Sequence, residues 1–421
     1  METICRRLEL YFEHVQPAYP LFRKPQPGEK CSAAHIPPRL KMAIFCVSSR
    51  FASRQGTEPL PSQSEFAERA DNSGYKRELD LNEIKTCLLL CLHYFSESLN
   101  WHTLAEVGKL TRMAHLYGLR YLEQQENGVF WQDGAVLECD PEEWRNVWWC
   151  VYALDTCCNA LTVTSHSFAS GLQKTALSMT SVAEFTNSSH IDLESLSEEP
   201  QYLPSATSKY WETMSRIFDR PSCRSRNLYI ATSALMRAAT DVRCLVQQQN
   251  CNEDLNRRLR ELETDYAAVR LALPAWYSNP SRNLASGETE REHQDRLDTL
   301  LLSYCACLTI SITAARSVIS DSLDDSYLKL QEHWQTILAK VHEIVLVIQN
   351  WKPQYFSFMN PMCSYIVFLT GSVVALDRAM HLGTQPALSN ASGDLNLMML
   401  FLRQVGCYWA VGMWLIPLES K

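Results

Sequence analysis

The sequence predicts an all-α fold on three observations. Apolar residues recur every three or four positions through most of the 421 residues, which is the spacing of one helix face. Residues that favour helix ends bound several of these stretches: Asp140 and Pro141 stand where one begins, and Gly118 stands where another ends. No sustained apolar–polar alternation flanked by hairpin turns occurs. We expect one large helical domain, 1–421, of roughly ten to twelve helices built on αα-hairpins, without an internal repeat.

The first elements are short helices separated by prolines and polar residues. Tyr11 lies in an amphipathic helix that Pro17 and Pro20 end, because proline cannot continue a helix. A second helix is expected near 38–52, where apolar residues again follow the helical spacing. Residues 53–78 are polar and contain Gly, Pro and Ser, which indicates a loop or a weak helix.

Residues 81–119 predict two neighbouring helices with a short connection. Apolar side chains from Ile84 to Phe95 form one stripe, and the pattern breaks at 96–100. The second helix is expected over 101–119, and Gly118 is suited to close it because glycine accepts a left-handed conformation. Such a pair is an αα-hairpin.

The stretch 140–155 predicts the helix around which the rest of the chain is organised. Asp140 can cap its start, and the two glutamates that follow suit the positive end of the helix dipole. Three tryptophans, among them Trp148 and Trp149, stand within six residues. That is too much apolar area for a surface helix, so we expect a central and almost fully buried one.

Asp155 falls on the same apolar face as these tryptophans. A buried carboxylate must find a partner that bonds to it. We expect this partner to be a cation on the preceding hairpin, Arg112 first and His115 second. A catalytic role for Asp155 is the alternative, and pairing is favoured because buried charges are as a rule paired.

Beyond residue 160 the pattern changes twice. Residues 164–208 are rich in Ser and Thr and carry acidic patches, which indicates a long and partly mobile connection. The remainder, 208–416, returns to helical spacing, with a loop at 277–290. The helices expected there lie near 208–218, 224–248, 252–273, 291–319, 334–348, 355–382 and 393–416.

Composition and charge exclude several classes of protein. Hydrophobic residues make up 46% of the chain, which is ample for a packed core. The formal net charge of −8 speaks against a chain that holds nucleic acid by its own field. The N-terminus lacks an apolar signal segment, and no run approaches the roughly 18 apolar residues of a membrane span. Sixteen cysteines without any Cys-x-x-Cys pattern indicate reduced thiols in an intracellular protein.

No motif of catalysis or cofactor binding stands out. The sequence contains no glycine-rich phosphate loop, no Gly-x-Ser-x-Gly elbow and no His-Glu-x-x-His. Asp321, Asp324 and Asp325 come closest to a metal-binding carboxylate cluster, but aspartates before a helix are favoured as caps. We therefore predict no catalytic, cofactor or metal residue and do not expect an enzyme.

Three segments together resemble one family, the fungal-specific transcription factor domain, also called the middle homology region of fungal zinc-cluster regulators. The resemblance is clearest over 8–160, and Trp-Trp with the following Asp is its best single marker. The segments read Tyr11-Phe12…His14…Pro17…Tyr19-Pro20, then Leu88-Leu89-Leu90…Trp101…Ala114…Gly118-Leu119, then Glu143…Arg145…Val147-Trp148-Trp149…Tyr152…Leu154-Asp155.

The sequence departs from the family pattern in two respects. The six-cysteine zinc cluster with which family members usually read DNA, and the coiled coil that follows it, do not occur in these 421 residues. The family commonly has Asp-Arg in the tryptophan-rich helix and Gly-Arg-Pro after it. Here Thr156 follows Asp155, and the later loop runs from Thr164 to Phe168.

The resemblance implies a transcription regulator of the nucleus, which could also reside in the cytoplasm. It would control a metabolic or secondary-metabolite gene cluster, either as a fragment of a longer zinc-cluster factor or through a protein partner. A small-molecule effector is possible, and zinc and direct sequence-specific DNA binding are not expected of this chain. The alternatives are an enzyme or small-molecule binder of a biosynthetic pathway that reuses the helical scaffold, and a gene that has lost its function.

Overall fold

The computed structural model describes residues 2–24, 36–52, 66, 80–127, 140–166, 174–188, 199–248, 253–319, 326–380 and 390–416. These residues form fifteen α-helices, twelve of them long, and contain no β-strand. The predicted all-α class is therefore confirmed. Most of the loop expected at 53–78 and the aspartates at 321, 324 and 325 lie outside the described residues.

The helices follow the predicted order, with a few more than expected. The three shortest, of four to six residues, carry too little sequence to show a periodic pattern. In chain order the helices are α1 Glu2–His14, α2 Pro38–Ala52, α3 Leu81–Glu97, α4 Trp101–Leu116, α5 Pro141–Thr162, α6 Val182–Asn187, α7 Tyr210–Phe218, α8 Arg224–Gln248, α9 Glu253–Ala272, α10 Ala275–Ser278, α11 Glu290–Ile319, α12 Ser326–Gln349, α13 Met362–Met380, α14 Ala391–Gly406 and α15 Val411–Trp414.

The chain divides into two compact units, and each contains two separate stretches of sequence. The first unit comprises Met1–Cys158 and Leu172–Leu203, and the second comprises Asn159–Gly171 and Pro204–Lys421. The expectation that 1–421 forms one domain stays a prediction.

In the first unit, α1 to α4 pack on one another in sequence. The Asp80 side chain caps α3 by accepting from the Glu83 amide, and Asn100 caps α4 in the same way from Thr103. Gly118 follows α4 with a φ of 78°, the left-handed conformation expected of a glycine just past a helix end. The αα-hairpin and its connection are therefore confirmed.

In the second unit, α11 packs on α8 and α12, and α13, α14 and α15 pack on one another in order. Arg296 of α11 is 2% exposed and organises the preceding loop. Its guanidinium donates to the Ser281 carbonyl at 2.9 Å and to the Glu288 carboxylate at 2.7 Å. Such a buried arginine is stable because its donors are matched by a counter-charge and by carbonyl oxygens.

Two helices of the second unit are long and apolar enough, by length and composition alone, to cross a membrane, over Glu290–Ser317 and Met362–Met380. The expectation that no stretch of the chain would be long and apolar enough for a membrane span was therefore wrong. Of the most apolar window in the first of them, 83% is buried inside the molecule. The mostly buried core helix of a globular protein passes the same test.

Candidate functional site: the tryptophan-rich helix and the segment it holds

Helix α5 begins as its sequence predicts. The Asp140 carboxylate accepts a hydrogen bond from the Glu142 amide at 3.0 Å and forms an ion pair with Arg23. Trp148 and Trp149 are both 0% exposed. The prediction of an almost fully buried helix is therefore confirmed, and its central role in the fold stays a prediction.

One flank of α5 binds an extended segment, residues 174–180, which we call the strap. The indole Nε1 of Trp149 donates to the Ala176 carbonyl at 2.8 Å. One carboxylate oxygen of Glu142, a side chain with no exposure, accepts from the amides of Met179 at 2.9 Å and Thr180 at 3.2 Å. It also accepts from the Thr180 hydroxyl at 3.2 Å. Side chains of α5 thus satisfy strap groups that a helix or a sheet would otherwise bond.

Arg145 connects the two carboxylates that hold the strap. Its NH1 donates to the second oxygen of Glu142 at 3.0 Å, and its Nε donates to Glu123 at 2.7 Å. The other oxygen of Glu123 accepts from the Ala176 amide at 2.9 Å. Burial alone would lower the pKa of Arg145, but the charges of Glu142 and Glu123 raise it above its ordinary value. The guanidinium therefore stays charged and fixes both carboxylates.

The near end of the strap is bonded to the 3₁₀-helix Leu119–Asn127, which follows α4. The Lys174 amide donates to the Arg120 carbonyl at 3.0 Å, and the Thr175 hydroxyl donates to the Leu119 carbonyl. The strap is also bonded to a later segment of the chain, because the Leu177 amide donates to the Gln201 carbonyl at 2.7 Å. Thr175, Ala176 and Leu177 are at most 1% exposed.

The strap accounts for only part of 164–208, since residues 167–173 and 189–198 lie outside the described residues, and the interpretation of 164–208 as a partly mobile connection stays a prediction. Residues 175–178 and Thr180 are buried, Met179 is half-buried and Lys174 is exposed, and hydrogen bonds hold the segment along its length. Sequence reasoning missed the strap because its Thr and Ser resemble loop residues, and it missed Glu142 because a glutamate in the first turn suits the helix dipole without any further role. The one available signal was the apolar pair Ala176–Leu177 within a polar stretch.

Asp155 is 1% exposed, as expected, and its pairing with Arg112 or His115 stays a prediction. The hydroxyl of Thr111 lies 3.4 Å from Asp155 Oδ1, whereas Arg112 and His115 are exposed on α4. Successive side chains of a helix are rotated by about 100°. Thr111 therefore lies beside Asp155, whereas Arg112, one position later, is exposed.

The polar side chains of this site hold the strap in place by hydrogen bonds and an ion pair. Burial, with Cys157 and Asp155 nearby, raises the pKa of the Cys158 thiol well above its ordinary value, so this thiol stays protonated and unreactive. Among the described residues, no group of three His, Cys, Asp or Glu side chains is placed to hold a metal ion. The Trp149, Glu142 and Arg145 side chains are instead engaged with the strap and with each other.

The model of one protein family, described as the fungal specific transcription factor domain, matches residues 8–225. These are 218 of the 421 residues, and they extend from α1 to the first residues of α8. The match thus continues beyond 8–160, where the resemblance is clearest in the sequence, and includes α5 and the strap. No curated protein and no solved structure matches the chain significantly.

Proposed function

This chain belongs to the fungal-specific transcription factor domain family, and from that membership we propose that it controls the genes of a metabolic or secondary-metabolite cluster. The family is found in zinc-cluster regulators of transcription and is regulatory, not enzymatic. The observation that carries the proposal is the family match over 8–225, because its residues include the central helix α5 with its motif and the strap.

We propose that the chain acts on DNA indirectly. Its net charge of −8 does not favour phosphate contacts, so sequence selectivity has to come from a zinc cluster elsewhere in the same gene product or from a DNA-binding protein partner. Nuclear residence, a small-molecule effector and a zinc-free chain belong to the same proposal. Translating the genomic sequence upstream of Met1 and searching it for six cysteines at zinc-cluster spacing distinguishes the two modes.

Deleting the gene in the source organism and measuring transcripts genome-wide tests the proposed function. We expect a group of metabolic genes to change together and to recover when the full chain is restored. Restoring it with Glu142→Ala, which removes every acceptor that Glu142 offers the strap, should fail to rescue. A control with the surface change Glu106→Gln should rescue fully. Transcripts that do not respond to the deletion would refute the proposal.

The purified chain provides a second, independent test of the indirect mode. Without a recognition element of its own, it should bind duplex DNA weakly and without sequence selectivity at physiological salt. Elemental analysis should find no stoichiometric zinc, since zinc sites need a closely spaced set of Cys or His ligands. Selective binding that survives competitor DNA, or one to two zinc ions per chain, would contradict it.

A further inference from the structure

A buried carboxyl group in the second unit lies where α11 meets the start of α13, and we propose that protonation of Asp298 at this contact makes the docking of α13 respond to pH near neutrality. This inference goes beyond the proposed control of transcription and does not depend on it. It concerns how α13, and with it the helices α14 and α15, is held on the rest of the second unit.

The geometry shows a carboxyl group whose bonded partners are uncharged. Asp298 is 8% exposed, and the Cys363 thiol of α13 donates to its Oδ1 at 3.1 Å. The amide of Gln294, one turn earlier on α11, donates to its Oδ2. Within the part of the chain that the structure describes, no Lys, Arg or His forms an ion pair with Asp298. An ionised carboxylate in such surroundings is costly, because burial penalises its charge and nothing of opposite sign is bonded to it.

The charged neighbours on α11 and α8 are engaged with one another. Arg291 pairs with Asp295 at 2.7 Å, and Arg226 of α8 also acts on Asp295. The Tyr229 hydroxyl of α8 accepts from Asn360 at 2.8 Å. The negative charge of Asp295 therefore opposes ionisation of Asp298, and Arg291 offsets it only in part.

The other helices that pack on α11 bring no charge to Asp298. The buried side chains of α12 in the described residues are all apolar. Tyr266 of α9 bonds to Ser303, more than one turn further along α11. Burial, with Asp295 adding to it, raises the pKa of Asp298 to about 7, against the hydrogen bonds from Cys363 and Gln294 and the charge of Arg291, which lower it.

Gln294 gives the contact two ways of bonding. Its side chain is 0% exposed, and its Oε1 has no hydrogen-bond partner while its Nε2 donates to Asp298. If the amide turns over, the same Oε1 can accept the proton of a neutral Asp298. The Gln294 side chain can therefore bond either the carboxylate or the carboxylic acid.

The direction of the response follows from the two states. The pKa of Asp298 is higher in the docked state than the ordinary 3.8 of an exposed aspartate. The protonated form of Asp298 therefore stabilises the docking of α13, and this stabilisation is complete at low pH. It is lost as pH rises toward and through about 7, where the docked carboxyl group ionises. Between pH 6 and pH 8, an opening that exposes Asp298 should become more frequent by about tenfold.

Hydrogen exchange of the full chain, followed by mass spectrometry from pH 6 to pH 8, tests this. After correction for the intrinsic exchange rate, peptides covering the start of α13 should show the tenfold rise in opening. In Asp298→Asn, which cannot ionise, that rise should vanish. The exposed carboxylate change Asp254→Asn on α9 should leave the rise unchanged.

A second variant keeps the test decisive if Asp298→Asn does not fold. Cys363→Ala removes one donor to the carboxylate, so the rise in opening should continue to higher pH than in the wild type, because the ionised form has lost a hydrogen bond that stabilises it. The pKa of Asp298 should then move further upward. A wild-type chain without the corrected rise, or an Asp298→Asn chain that keeps it, would overturn the proposal.

Discussion

The bonding of the strap makes Glu142→Gln the most informative single change in the first unit. Glutamine keeps the shape of the side chain and one carbonyl oxygen that can still accept from Met179 and Thr180. It loses the negative charge that faces Arg145 at 3.0 Å. The change therefore separates the ionic half of the Glu142 interaction from its backbone-binding half.

The loss of folding stability expected for Glu142→Gln can be estimated from these contacts. A hydrogen bond to a charged group contributes about 1.5–3 kcal/mol. Removing one partner of a buried ion pair costs about 3–5 kcal/mol when the other is left alone. Arg145 keeps Glu123 at 2.7 Å and is not left alone, so we expect about 2–3 kcal/mol for Glu142→Gln. Glu142→Ala also leaves the partly buried Met179 amide and the buried Thr180 amide without an acceptor, at up to about 1–3 kcal/mol each, and should cost more than the glutamine variant.

Chemical denaturation measures the total loss in the free energy of unfolding. Hydrogen exchange of the Met179 and Thr180 amides measures how far the strap alone is destabilised. Both amides should exchange faster in the alanine variant than in the glutamine variant, because only glutamine still offers an acceptor. Glu106→Gln on α4 is a matched control. Its carboxylate pairs with Lys109 at 3.3 Å on the surface, so the same chemical change should cost less than about 1 kcal/mol. If Glu142→Gln costs no more than this control, the strap is not held as we describe.

Three further changes test the interior of the first unit. Trp148→Ala should cost about 3–5 kcal/mol, as truncation of a large buried aromatic does; a melting temperature within a degree or two of the wild type would contradict a central α5. Asp155→Asn and Thr111→Val should show coupled stability effects in a double-mutant cycle, whereas Asp155→Asn and Arg112→Gln should be additive; coupling to Arg112 would restore the original pairing. Burial, with a neighbouring arginine, lowers the pKa of His93 from 6.5 to about 3. Stability should therefore fall as pH drops below 6.5, and His93→Gln should reduce that slope in pH-dependent unfolding.

Local sequence signals predicted the helices and their caps well. The α3–α4 hairpin follows from residues near each boundary, such as the break in the pattern at 96–100 and Gly118 beyond the end of α4. Helices with long apolar stripes, such as α12, follow for the same reason. Each of these features depends on neighbours in the chain, which a sequence displays directly.

The site depended on contacts between residues far apart in the chain, and the sequence predicted it only in part. That α5 is buried followed from its tryptophans, and that Asp155 is buried followed from its register. That Thr111 lies beside Asp155 did not follow, because Thr111 and Arg112 differ by one position on α4. The strap did not follow either, since Thr180 and Glu142 are 38 positions apart and nothing local marks them as partners.

The strap also sets an order of events while the chain is being made. Glu142 and Trp149 leave the ribosome before the backbone groups they bind, and 38 residues separate Glu142 from Thr180. At synthesis rates of about 5–20 residues per second, the Glu142 carboxylate is made about 2–8 s before the Thr180 amide that it accepts from. During that interval α5 is apolar and one Glu142 oxygen lacks its strap donors, a state that other nascent chains and chaperones can bind. A chain that ended near residue 160 would remain in that state permanently.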